Sequence, residues 1–335
     1  MTSPTTLPLA DAALAERIAG RLDQVEDRLR AAVGYADPLV DDAAHHLADA
    51  GGKRLRPLLT LLAAELGDHP GDAEVLDAAV VVELTHLASL YHDDVMDSAP
   101  MRRGAPAAHE VWGNSVAILV GDLLFARAST TVAHLGPEAV LIQASTFERL
   151  CLGQLHESTG PGAGDDPVAH YLQVLADKTA SLIATSARLG AMYGGAAPAV
   201  VETVAAFGER IGVAFQLADD VLDLTSEGTV SGKTPGTDLR EKVPTMPVLL
   251  LRRRAAEGGD PADVALVARL DGDLSDDAVL AETVALLRAH DVVRETRERA
   301  TALVAEAVEV LAPLPDGPVK DSFVSFADAL VDRAS

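Results

Sequence analysis

Residues 72–97 read DAEVLDAAVVVELTHLASLYHDDVMD. An apolar helical run from Asp72 to His92 ends there in three carboxylates, Asp93, Asp94 and Asp97, at positions i, i+1 and i+4. On a helix the i and i+4 groups stack on one face about 5.4 Å apart, with the i+1 group roughly 100° to the side. The same pattern returns 126 residues later in FQLADDVLD, residues 215–223, as Asp219, Asp220 and Asp223. Crowded acids at the end of an apolar helix repel one another and lose hydration, so a pair of such ends asks for a cation. Oxygen-only ligands favour a hard ion such as Mg²⁺, which keeps waters and completes its shell with substrate phosphates. One DDxxD alone also fits a solvated helix end; two matched copies fit two facing helices converging on one point.

Outward from these helices the chain stays helical. Apolar spacing predicts helices over Ala12–Val33, Asp41–Ala50, Arg56–Leu66, Glu110–Ala133, Pro137–Glu157, Pro167–Tyr193 and Pro198–Leu224. Further helices are expected near Val248, Ala262, Asp277, Val293 and Val319. Breaks fall at Gly51-Gly52, at Ser98–Pro106 and at Gly160–Gly164. The polar, glycine-rich stretch Ser226–Asp238 reads as a mobile flap. Strand alternation is nearly absent and no linker is marked. The expectation is an all-α fold: residues 1–335 as a single domain, a large helical bundle around a central cavity.

A 335-residue chain that is 48% hydrophobic can bury a sizeable core without staples. The single cysteine, Cys151, excludes an intramolecular disulfide framework and is expected to be buried and inert. Residues Met1–Pro8 lack a basic segment and apolar core, and no unbroken run of about 18 apolar residues appears, so no integral membrane segment and a cytoplasmic location are expected. A net charge of −24 argues against nucleic acid as a partner. It does not exclude an anionic small substrate, because the few bases are clustered.

Those clusters are Lys53, Arg54 and Arg56 in GGKRLRP, residues 51–57, and Arg102-Arg103, five residues beyond Asp97. Glycines that permit close backbone approach, followed by a helix start, suit a diphosphate. The spacing is not that of a P-loop. Metal-binding acids beside anion-binding bases suit a phosphorylated leaving group held by Mg²⁺ next to a second phosphorylated substrate.

From about Gly51 to Pro247 the chain resembles the trans-isoprenyl diphosphate synthases, the polyprenyl synthetase family, of long-chain type. The resemblance rests on GGKRLRP, on DDVMD followed by RRG at 102–104, on Gly121-Asp122, Gly153-Gln154 and Lys178-Thr179, on FQLADDVLD, and on Gly232-Lys233. It implies the isoprenoid synthase fold and a homodimer that lengthens an allylic diphosphate with isopentenyl diphosphate, using Mg²⁺. It makes Asp93, Asp97 and Asp219 the principal metal ligands, with Asp94, Asp220 and Asp223 in the same shell or bound through water. Lys53, Arg56, His86 and Arg103 match isopentenyl diphosphate binders. Arg102, Lys178, Thr179, Gln216 and Lys233 match groups that grip the allylic diphosphate or neutralise the leaving pyrophosphate. Without the resemblance, His86 would read as a satisfied core histidine.

The chain departs from the family at DLREKVPTMP, residues 238–247, where the usual glycine is Lys242 and the usual lysine is Val243. Lys242 is therefore not counted among the phosphate groups. Ala88 and Ser89, one turn below Asp93, are small where short-chain relatives often carry an aromatic. Together with Thr85, Val81 and Val82 they imply an unblocked path and a product of about six to nine isoprene units, counting one unit per helical turn. Phe125 is a candidate floor, and a quinone side chain the expected use. The alternatives are a short-chain farnesyl or geranylgeranyl diphosphate synthase and a class I terpene cyclase; a cyclase would normally replace the second DDxxD and has no need of GGKRLRP.

Overall fold

The computed structural model describes residue 9 and residues 11–225 and 235–331. Helices account for nearly all of its regular structure: α1 (Ala12–Val33), α2 (Pro38–Asp49), α3 (Leu55–Ala64), α4 (Ala73–Met96), α5 (Ala108–Trp112), α6 (Asn114–Leu135), α7 (Pro137–Thr159), α8 (Pro167–Leu175), α9 (Ser181–Tyr193), α10 (Pro198–Thr225), α11 (Thr237–Arg240), α12 (Met246–Ala256), α13 (Pro261–Asp271), α14 (Asp277–Arg288), α15 (Asp291–Val310) and α16 (Pro318–Val331). The all-α expectation holds. Part of the acid surplus starts these helices: Asp11, Asp37, Asp166, Asp260 and Asp276 each accept a hydrogen bond from a backbone N–H of the first turn.

Contacts within the chain group into two compact units, each built from three segments. The first comprises Met1–Arg149, Ser181–Gly208 and Val310–Phe326. Its centre is α4, largely apolar and buried from Val75 to Tyr91 apart from Asp77, His86, Ser89 and Leu90. A helix without a polar face needs neighbours on every side, and α1, α3, α6 and α9 supply them. Helix α4 runs on through Asp93 to Met96, so the first acidic motif forms its last turn, with Asp97 as C-cap.

Three local differences from the sequence reading have physical causes. The predicted helix over 110–133 is two, because Gly113 adopts φ +82 between α5 and α6. The break at 98–106 holds a two-residue antiparallel hairpin, β1 (Met101–Arg102) and β2 (Ala105–Pro106), turned by Arg103 (φ 54) and Gly104 (φ 79). Positive φ at both central residues is the turn geometry that matches strand twist. Helix α6 is long and apolar enough, by length and composition, to cross a membrane, with a mean hydropathy of 1.5. Asp122 and Arg127 lie within it, so the stretch is not an unbroken apolar run.

The second unit comprises Leu150–Ala180, Glu209–Glu309 and Ala327–Ser335. Its core includes Tyr171, Leu217, Val221, Leu224, Met246 and Leu250. Residues Ala176–Ala180 form a π-helical turn directly after α8. Gly153 on α7 makes that turn possible, since a Cβ there would lie 2.6 Å from the Lys178 backbone nitrogen. Cys151 is exposed rather than buried, which corrects the sequence expectation.

Candidate active site

In the first unit the acids of DDVMD divide by burial. Asp93 is half-buried and Asp97 exposed, while Asp94 is wholly buried. Burial raises the Asp94 carboxyl above its usual range, and the Arg102 guanidinium opposes that rise. Arg102 donates from Nε to Asp94 Oδ1 at 2.5 Å. Asp94 is thus a brace for Arg102 through Oδ1. The helix C-terminus carries partial negative charge, and the last turn of α4 contains no base.

The basic side of this unit surrounds the Gly51-Gly52 turn. Arg54, in the left-handed region at φ 48, donates to both carboxylate oxygens of Glu26, to Glu83 Oε1 at 2.8 Å and to the Ala48 carbonyl at 2.9 Å. Arg103 donates from Nη1 to the carbonyls of Leu47 and Gly51. A Cβ on Gly52 would meet the Arg103 Cζ at 3.0 Å, so the glycine makes room for the guanidinium. Lys53 is exposed. The Arg56 Nε is buried without a partner. Burial brings the Arg56 guanidinium down to about 10, still cationic at neutral pH. His86 is held well below its usual value by burial and by Arg56, Arg103, Arg54 and Arg102, and is neutral. Neutral imidazole and buried guanidinium together offer donors to an oxyanion.

The second unit repeats the division of acids. Asp219 and Asp223 are half-buried and Asp220 is buried. The Tyr171 hydroxyl and the Met246 backbone N–H both reach the Asp220 carboxylate. Burial pushes Asp220 up to about 8 against those two hydrogen bonds. Gln216 lies one turn before Asp220 on α10 and is half-buried. Lys178, on the π turn, pairs with Glu157, and Thr179 beside it is buried. Lys233 lies outside the described residues, as does most of the stretch read as a flap.

Among the described residues no three His, Cys, Asp or Glu side chains are gathered as a ready metal cage. The donor set still fits Mg²⁺: each unit offers two solvent-reaching carboxylates one helical turn apart, and this ion takes one or two carboxylates plus waters and phosphate oxygens. The acids to assign are Asp93 with Asp97, and Asp219 with Asp223. Asp220 is bonded to Tyr171 and the Met246 N–H, while Asp94 holds Arg102 through Oδ1 and keeps a buried Oδ2 with no hydrogen-bond partner.

Sequence reasoning missed Glu26, Glu83, Glu157 and Tyr171. Glu83 had a visible signal, one acid inside the apolar run AAVVVELTHL. Lys242 has φ 59, a glycine-like conformation where the family has glycine. It lies with Asp271 and Arg252 around a small cavity of about 90 Å³.

Residues 37–287 match the family described as Polyprenyl synthetase. The chain is 43% identical to the nonaprenyl diphosphate synthase of Mycobacterium tuberculosis, over 99% of both chains. It is 36% identical to a dimethylallyltranstransferase of the same organism, over 96% of each. A geranylgeranyl pyrophosphate synthase from Corynebacterium glutamicum, solved with calcium and isoprenyl diphosphate, is 40% identical with a TM-score of 0.86, covering 97% of this chain and 99% of that one. With acids and bases arranged in each unit as described, and with similarity that runs the length of the chain, the protein belongs to the polyprenyl synthetase family and is a prenyltransferase, a prenyl diphosphate synthase.

Proposed function

We propose that the enzyme condenses an allylic diphosphate with isopentenyl diphosphate, repeatedly, to a long all-trans product. Asp93 with Asp97, and Asp219 with Asp223, would hold Mg²⁺, which when bound would supply positive charge for a departing pyrophosphate. Arg102, Lys178, Thr179, Gln216 and Lys233 hold the allylic diphosphate. Lys53, Arg56, His86 and Arg103 hold isopentenyl diphosphate, whose double bond attacks the allylic cation before a proton leaves. Residues 1–335 act as one synthase domain.

The observation that carries the long-chain reading is the half-buried face of α4, where His86, Ser89, Leu90 and Asp93 follow one another and no aromatic intervenes. A product of about six to nine isoprene units is proposed, its lower end matching the about five to six turns of α4 below Asp93. The nonaprenyl relative supports this reading, and the geranylgeranyl relative at 40% identity favours a shorter product as the second reading. Mass spectrometry of the dephosphorylated product, with several primers, decides between them. A product of three or four units would overturn the long-chain assignment.

The enzyme works as a cytoplasmic homodimer in this proposal. Val111, Ile118, Leu119 at 60% exposure, Val140 and Leu141 at 71% are a set of exposed apolar side chains on α5, α6 and the start of α7. A second copy is the occupant that would bury them. Sedimentation of Leu119→Asp, expected to be monomeric where the parent is dimeric, tests the assignment; an unchanged mass would refute it.

A further inference from the structure

Glu83 is the one acid in the buried middle of α4, 2% exposed among Val80, Val81, Val82 and Leu84. Isolated, such a carboxylate would be costly. It is surrounded by cations: Oε1 accepts from Arg54 Nη1 at 2.8 Å and lies 3.7 Å from Arg103 Nη2, and its charge supports that of Arg56. His86 follows three residues later on the same helix.

The partners of these arginines separate their roles. Arg54 has the Glu26 carboxylate, Glu83 and the Ala48 carbonyl as acceptors, and so works within the protein. Arg103 reaches the Leu47 and Gly51 carbonyls with Nη1 and faces Glu83 with Nη2. Arg56 keeps an Nε without a partner. Guanidiniums repel one another, and a buried carboxylate between them fixes their separation and orientation.

We propose that Glu83 is the positioning residue of the anion site: by bridging Arg54 and Arg103 it holds the Gly51-Gly52 turn in the shape that presents Arg56, Arg103 and His86 to a diphosphate group. Glu83 does not touch the ligand. It acts through the arginines, and its own charge, taken alone, would repel the anion. Geometry and charge therefore make opposite forecasts for its removal. That the diphosphate is isopentenyl diphosphate rests on the function proposed above; the anion site itself does not.

The test compares Glu83→Gln with Glu26→Gln, which removes a charge facing Arg54 from the other side. Calorimetric titration with inorganic diphosphate, without divalent metal, reports the anion site. Steady-state KM for each substrate and kcat report its use. Glu83→Gln should weaken diphosphate binding and raise KM for isopentenyl diphosphate by about tenfold, with kcat and the allylic KM within about twofold. Glu26→Gln should leave diphosphate affinity within about twofold even where it lowers the melting temperature as much, because Arg103 keeps its carboxylate. Unchanged or tighter binding in Glu83→Gln overturns the proposal, as does an equal loss of affinity in Glu26→Gln. Should the glutamine variant not fold, Glu83→Asp, which keeps the charge and shortens its reach, takes its place: weakened diphosphate binding supports the proposal and unchanged binding overturns it. Glu83-dependent diphosphate binding in an enzyme that turns over no prenyl substrate would sink the proposed function and leave this inference standing.

Discussion

The hydroxyl of Tyr171 lies 2.9 Å and 2.8 Å from the two carboxylate oxygens of Asp220, and the Met246 backbone N–H reaches the same carboxylate at 2.9 Å. The middle acid of the second motif is thereby tied to α8 and to the start of α12. Its neighbours Asp219 and Asp223, on the same helix, remain half-buried at the surface. Under the proposed function, stability and metal binding therefore fall to different acids of one motif.

Tyr171→Phe should lower stability by about 1–3 kcal/mol, since it keeps the ring but removes a buried donor from Asp220. Asp219→Ala, at a half-buried position, should cost less stability than Tyr171→Phe, while turnover collapses. Urea unfolding and a single-substrate-concentration assay suffice for both. Similar stability losses in the two variants would contradict the division.

His86 supplies the pH prediction. Its folded-state pKa is depressed, so as the pH falls below about 6.5 the unfolded chain takes up a proton that the folded chain refuses. The contribution present above that value is lost progressively on acidification. His86→Gln should therefore show a smaller drop in melting temperature between about pH 7 and pH 5 than the parent. Equal slopes would mean that His86 is not held neutral.

Lys242→Gly should stabilise the protein by about 1 kcal/mol, because a side chain at φ 59 crowds the backbone and glycine does not. Differential scanning calorimetry should show a higher melting temperature at unchanged turnover. A lower melting temperature would show that the side chain's place beside Asp271 outweighs the backbone term.

Ala88 and Ser89 are not equivalent. Ala88 is fully buried and its carbonyl lies close to Gly121, whereas Ser89 is half-buried on the face that carries His86 and Asp93. Ser89→Phe should shorten the product, read by mass spectrometry, with the fold intact. Ala88→Phe should instead overpack the α4–α6 contact at a cost of about 1–3 kcal/mol. Shortening by Ala88→Phe without loss of stability would reverse this assignment.

Much of the architecture was legible because capping and periodicity agree locally: Asp11 opens a helix whose apolar spacing runs to Val33, and both bounds were read correctly. The π turn at 176–180 was not, since a slip in backbone hydrogen bonding leaves no mark in composition. The site was legible as motifs but not as roles. Asp93 and Asp94 look alike in sequence, and burial alone separates a solvent-reaching acid from a brace. Arg54 and Arg56 look equally suited to phosphate, and only the Glu26 and Glu83 partners show that Arg54 is occupied.

Position 121 governs the first acidic motif without contributing any chemistry. A Cβ there would lie 2.3 Å from the His92 Nε2, which bonds the Ile118 carbonyl at 3.0 Å, and 3.2 Å from the Ala88 carbonyl. His92 immediately precedes Asp93. In a randomised library this glycine should tolerate fewer replacements than Ser129, which is exposed on the same helix. A survey of functional variants would rank it among the most restricted sites in α6, although it binds nothing.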